Sequence, residues 1–169
     1  MKWNSIRLSA ITTALFFTWL RIQGAGLITA VSKMGIVDLE MADTPLRLSE
    51  LLLVWNRTTV VNNILIDFLF IPSYALFLSL SCRHLAISTN NDDMIRVGHI
   101  TAKGVWLAAL LDVIENLLML GSVNGYYSSS SLELTRWVAI IKFLLVTIAI
   151  LFLLTGSIYY LVKKKPHGT

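Results

Sequence analysis

Three polar side chains lie close together in an otherwise apolar stretch, residues 104–122. Asp112, Glu115 and Asn116 follow i, i+3, i+4 spacing, so they project from one face of a helix. The stretch is long enough to cross a bilayer, where a charge at the centre costs about 3 kcal/mol or more. Such carboxyl groups bind a proton, a cation or a polar ligand, or they pair with a basic side chain. We therefore expect another part of the chain to face this patch.

The composition is typical of an integral membrane protein. Of the 169 residues, 56% are hydrophobic and only 14% are charged, and the mean hydropathy is +0.71. Soluble domains carry about 25% charged residues. The apolar runs predict four spans, at about 8–31, 59–81, 104–122 and 136–162. The predicted fold is all-α: a single transmembrane domain over residues 1–169, formed as a four-helix bundle.

The segment between the first two predicted spans contains its own helix signal. Asp43 or Thr44 can cap a helix that has Pro45 in its first position. Leucines then recur at helical spacing up to Trp55, which predicts a short extracellular amphipathic helix. It would lie on the membrane surface or cap the bundle, as a lid over a site below. The lid candidates are Asp38, Glu40 and Trp55.

Each predicted span carries at least one charged residue. Arg21, Asp67 and Lys142 join Asp112 and Glu115, and helical rise places all five at similar depth in the outer half of the bilayer. We therefore expect the four polar stripes to face one another and form a polar core. With two cations and three acids, either Glu115 or Asp112 should be protonated or bind an external cation. The candidates for ligand or proton binding are Arg21, Asn63, Asp67, Tyr74, Asp112, Glu115, Asn116 and Lys142.

The basic residues predict the orientation. The richer group contains Lys2, Arg7, Arg83, Arg96, Lys103 and the lysines at 163–165, and the poorer group contains Lys33, Arg47, Arg57 and Arg136. By the positive-inside rule, both termini are cytoplasmic and the lid is outside, in the inner or plasma membrane. The net charge of +4 is thus a topology signal, and no nucleic-acid partner is expected.

No motif of a known chemistry is evident. His84 and His99 lack metal-ligand spacing, and no nucleophile–base pair or phosphate-binding loop is present. We expect no metal and no cofactor, and the catalytic residues, if any, stay unassigned. The expected partners are the lipid bilayer and a lipid or small-molecule ligand.

Three functions fit an intramembrane polar core. Intramembrane ionisable residues commonly bind or move a ligand, so binding or transport of a small ligand, proton or cation comes first. A lipid-modifying enzyme that uses acid–base carboxylates is the alternative. The third possibility is a purely structural set of ion pairs that fixes the helix packing.

Four segments also resemble a known family. They are IVDLEMADTPLRLSELLLVW, IDFLFIPSYALFL, LLDVIENLLML and AIIKFLLV, in this order along the chain. Together they resemble a widespread family of small uncharacterised four-span bacterial membrane proteins. The resemblance implies a four-span bundle and transfers no activity to any residue.

Overall fold

The chain folds into a bundle of α-helices. The computed structural model describes residues 3–164, with side chains up to residue 163. No strand occurs within that range, so the predicted all-α class is confirmed. Lys2 and Lys165, which were used to predict the orientation, lie outside the described residues. The helices are α1 (Trp3–Gln23), α2 (Val37–Glu40), α3 (Pro45–Val54), α4 (Arg57–Ser88), α5 (Asp92–Val123) and α6 (Ser129–Lys164), with a 3₁₀ turn at Gly24–Leu27 between α1 and α2.

Three of the helices could cross a membrane. By length and composition, α4, α5 and α6 are long and apolar enough, whereas α1 is not among the three. Hydroxyl residues and the arginines Arg7 and Arg21 make α1 less apolar. Large apolar side chains cover the outside of the bundle, an arrangement that a protein uses against lipid or another apolar partner. Examples are Leu8, Leu15, Leu69, Leu107, Leu117, Leu144, Leu151 and Leu154.

The helix ends differ from the predicted spans. The first predicted span continued to residue 31, but α1 ends at Gln23, and the chain then turns through two glycines. The segment between the second and third predicted spans, residues 82–103, is mostly helical, because α4 continues to Ser88 and α5 begins at Asp92. Asn91 caps α5 by accepting a hydrogen bond from Met94 N (3.0 Å). Hydropathy predicts where the apolar segment ends, but a helix can continue beyond that point because its backbone hydrogen bonds do not require apolar side chains.

The four long helices pack unequally. α5 packs against both α4 and α6, while α1 packs mainly on α4. The approach of α4 and α5 is closest at Gly98, where a Cβ atom would lie 2.4 Å from Ala86 Cβ and 3.1 Å from the carbonyl oxygen of Cys82. This glycine allows the two helices to meet near their short connection. Pro72 lies inside α4, where its ring leaves one backbone carbonyl without its usual donor.

The segment between α1 and α4 forms a packed cap on one end of the bundle. Thr44 caps α3 and Pro45 occupies its first turn, as the sequence predicts. Leu48 and Leu51 are fully buried. Trp55 is buried as well, and its Nε1 donates to the carbonyl oxygen of Leu27 (2.8 Å). Of the two expected placements for α3, the packing agrees with the one that caps the bundle, because its apolar face belongs to a core shared with α4 and α5.

Candidate functional site

Lys142 of α6 is the centre of a buried ion-pair cluster. Its Nζ lies 2.7 Å from Glu115 Oε2, 3.0 Å from Asp112 Oδ1 and 3.7 Å from Glu40 Oε2. All four side chains are buried, and Glu115 has no exposed surface. The i, i+3 spacing on α5 places both acids on the face that Lys142 contacts. Lys142 therefore pairs with both acids of α5.

Hydrogen bonds extend the cluster to α4. Tyr74 donates its hydroxyl to Asp112 Oδ2 (2.9 Å). Asn116 donates its amide to Asp67 Oδ2 (2.7 Å). The polar faces of α4, α5 and α6 therefore meet in one network.

Glu40 is an unexpected member of this cluster. Glu40 ends the short helix α2, and the sequence predicts only a lid role for it. Its carboxylate reaches Lys142 from the cap. Its Oε2 is buried and accepts no hydrogen bond within the described part of the chain. Burial raises the pKa of Glu40 above its ordinary value; nearby Lys142 opposes this shift, and Asp112 adds to it. No periodicity surrounds Glu40, so only its charge in an apolar context could have singled it out.

Arg21 does not join the cluster, contrary to the sequence-based expectation. It is exposed near the end of α1 and has no ion pair within residues 3–164. The reason is that α1 packs mainly on α4 and does not close against α5. Asn63 of α4 helps to hold α1 against α4, since its Nδ2 donates to Gln23 Oε1 (2.7 Å) and to the carbonyl oxygen of Leu20 (3.2 Å). Asn63 therefore anchors α1 and is separate from the ion pairs.

The other two lid candidates stabilise the cap itself. Asp38 pairs with Arg47 at 3.2 Å and accepts a hydrogen bond from Met34 N (2.8 Å). Trp55 holds the loop that follows α1. Neither side chain lines the cavity described below, so Glu40 is the only one of the three that reaches it.

A cavity of about 490 Å³ lies beside the cluster, a size typical of small-molecule sites. It is bounded by α1, α4, α5, α6 and the cap. One part of its wall is charged, and the other is apolar. The charged residues are Arg21, Glu40, Asp67, Asp112 and Lys142, and the apolar ones include Phe17, Phe70, Phe77, Phe143, Val146 and Ile150.

The cavity opens sideways between α1 and α6. These two helices flank it, but each packs mainly on other helices: α1 on α4, and α6 on α5 and α4. Phe17 of α1 is 54% exposed, and Phe143 and Ile150 of α6 are 40% and 45% exposed. Because the same side chains both line the cavity and face outward, they form the rim of an apolar opening.

The charges around the cavity do not balance. Four acids, Glu40, Asp67, Asp112 and Glu115, lie in or beside its wall, against two cations, Lys142 and Arg21. Asp67 contacts Asn116 and has no basic partner among residues 3–163. Burying carboxyl groups without counter-charges is costly, so protons or a bound cation must compensate part of this excess.

The described residues contain no group of three or more His, Cys, Asp or Glu side chains arranged to hold a metal ion. The Nζ atom of Lys142 lies between the carboxylates of Asp112 and Glu115. No protein-family model, curated protein or solved structure matches the chain. The function of the site must therefore be inferred from its geometry.

Proposed function

We propose that the chain is a four-span membrane protein, with α1 as the fourth span beside α4, α5 and α6. The 21 residues of α1 give a length of about 30 Å, which matches the hydrocarbon thickness of a bilayer. The helix ends opposite the cap carry Arg7, Arg83, Arg96, Lys103, Lys163 and Lys164, while the cap end carries Lys33, Arg47, Arg57 and Arg136. The positive-inside rule then gives cytoplasmic termini and an outward-facing cap.

The cavity binds a small ligand that carries a positive charge, and Asp67 is its anionic contact. The observation that carries this proposal is that Asp67 lines the cavity without a basic partner in the described chain, beside a cluster already rich in acids. A cationic ligand would supply the missing counter-charge, whereas an anionic one would add to the repulsion.

The remaining acids have a different role. Asp112 and Glu115 are held by Lys142, so they join α5 to α6 and keep the polar wall in place. Asp67 lies on α4, outside those ion pairs. Function and stability should therefore separate at Asp67, because its neutral substitution removes no ion pair.

A simple amine tests this proposal. The protein, purified in detergent, is titrated with butylammonium, and 1-butanol serves as the uncharged control. At ten times its Kd a ligand stabilises the native state by about 1.4 kcal/mol, which raises the unfolding midpoint by roughly 3–5 °C for a chain of this size.

Variants assign the effect to one residue. Butylammonium should stabilise the wild type and Glu133→Gln, whose acid is exposed on α6, but not Asp67→Asn. Asp67→Asn should unfold within about 2 °C of the wild type when no amine is present. Equal stabilisation of wild type and Asp67→Asn, or equal effects of butylammonium and butanol, would contradict the proposal.

A further inference from the structure

We propose that the ligand is a zwitterionic phospholipid with a primary-ammonium headgroup, and that it enters from the bilayer between α1 and α6. This inference rests on the proposed function, since it takes the ammonium to be the group that contacts Asp67. It adds a phosphate contact at Arg21 and a path for the acyl chains.

Two opposite charges on the cavity wall have no ion-pair partner in the described chain. Asp67 of α4 carries one, and Arg21 of α1 carries the other. Asn63 lies one helical turn, about 6 Å, before Asp67 on α4, and it bonds to the carbonyl oxygen of Leu20, next to Arg21. The two charges therefore line neighbouring parts of the cavity. A phosphate joined to an ammonium through two carbons can present its negative charge to Arg21 and its positive charge to Asp67.

The buried acceptors favour a primary ammonium. Such a group has three N–H donors. Asp67 offers an oxygen to it, and the cavity also holds Glu40, whose buried Oε2 accepts no hydrogen bond from the described residues. A trimethylammonium group has no N–H donor, so it could not donate a hydrogen bond to the Glu40 oxygen. Ethanolamine-type headgroups should therefore bind better than choline-type headgroups.

The apolar rim provides a place for the acyl chains. A cavity of about 490 Å³ holds a ligand of drug size, so the chains of a phospholipid must extend out of it. They can do so past Phe17, Phe143 and Ile150, which are exposed at the opening. In a four-span arrangement this opening faces the lipid, so a phospholipid reaches the cavity without leaving the bilayer.

Single-chain lipids with defined headgroups test the inference. Binding of lysophosphatidylethanolamine to the detergent-purified protein is measured by native mass spectrometry and by the shift in unfolding midpoint. Lysophosphatidylcholine removes the N–H donors, lysophosphatidylglycerol removes the cation, and soluble phosphoethanolamine removes the chain. We expect the ethanolamine lysolipid to bind at least tenfold more tightly than each of the other three.

Two variants assign the contacts. Arg21→Gln and Asp67→Asn should each weaken binding of the ethanolamine lysolipid at least tenfold. Arg7→Gln, which removes an exposed arginine at the other end of α1, should bind like the wild type. Because Arg21 is exposed and has no ion pair in the described chain, Arg21→Gln should fold normally, and it remains informative if Asp67→Asn does not fold.

The outcomes separate this inference from the proposed function. If butylammonium binds through Asp67 but the four lipid probes bind equally, the phospholipid assignment is wrong and the cation site stands. If phosphoethanolamine binds as tightly as the lysolipid, the ligand is a soluble headgroup and the lateral path is wrong. Binding that is unchanged in Arg21→Gln overturns the phosphate contact. If neither butylammonium nor any lysolipid binds, both proposals fail.

Discussion

Replacing Lys142 with methionine removes the ammonium that contacts three buried carboxylates. Methionine keeps an unbranched side chain of similar length, so the main change is electrostatic. Removing one partner of a buried ion pair costs about 3–5 kcal/mol, because the other partner stays buried without compensation. For a chain of this size that corresponds to a fall in the unfolding midpoint of roughly 10 °C. Lys103→Met, at an exposed lysine on α5, should change the midpoint by less than about 2 °C.

A second substitution on α5 should restore part of the lost stability. Glu115 is fully buried and its one ion-pair partner in the described chain is Lys142, so its charge depends on Lys142 alone. Asp112 also accepts a hydrogen bond from the Tyr74 hydroxyl, so its charge stays partly compensated when Lys142 is removed. Glu115→Gln should therefore rescue Lys142→Met more fully than Asp112→Asn does.

Thermal unfolding in detergent, followed by tryptophan fluorescence, measures these effects. The single variants, the two double variants and the Lys103→Met control are compared at one pH. A Lys142→Met midpoint within 2 °C of the wild type would refute the central role of Lys142. Two double variants that are each less stable than Lys142→Met would show that Asp112 and Glu115 are not its partners.

Three further predictions follow from the packing, the cap and the topology. Gly98→Ala should lower the free energy of unfolding by about 1–3 kcal/mol, because its methyl group would meet Ala86 and the backbone of Cys82. Gly104→Ala on the same helix is the control: the atom nearest to its added methyl group would lie at 3.7 Å, so this variant should be neutral or stabilising. Equal effects of the two substitutions in denaturant unfolding would contradict this packing. Because the pKa of Glu40 is raised, the native state holds a proton that the unfolded chain releases above about pH 4.5, so stability should fall as the pH rises above that value. Glu40→Gln should flatten this decline above about pH 4.5, and parallel pH profiles for variant and wild type would contradict the burial of this carboxyl group. Finally, if the termini are cytoplasmic, Ser129→Cys should react with an impermeant maleimide on intact cells, and Asp93→Cys should react only after lysis. The native Cys82 is fully buried and should stay unlabelled. The reverse labelling pattern would show that the topology is inverted.

The polar face of α5 could be predicted from the sequence because helical periodicity fixes which side chains share a face. Asp112, Glu115 and Asn116 are all buried, and Lys142 contacts the two acids. The capped start of α3 could also be predicted, since Thr44 and Pro45 form a local helix-start signal. Both features depend on residues close together in the chain.

The membership of the cluster could not be predicted completely. Glu40 lies in an irregular segment, and its approach to Lys142 depends on how the cap folds over the bundle. Arg21 lies on the polar stripe of α1, but what this stripe faces depends on which helices α1 contacts. Charge in an apolar segment indicates that a partner is needed, whereas the identity of that partner is set by tertiary packing.

The most direct measurement of the central claim locates a ligand ammonium in the cavity. Crystals of the protein grown with 12-bromododecylamine would place the amine by its density and the bromine by its anomalous scattering. We predict that the nitrogen lies within hydrogen-bonding distance of Asp67 and that the bromine lies near Phe143 or Ile150, at the opening between α1 and α6. An amine bound only on the outer surface of the bundle, with Asp67 paired to Lys142 inside it, would contradict the claim.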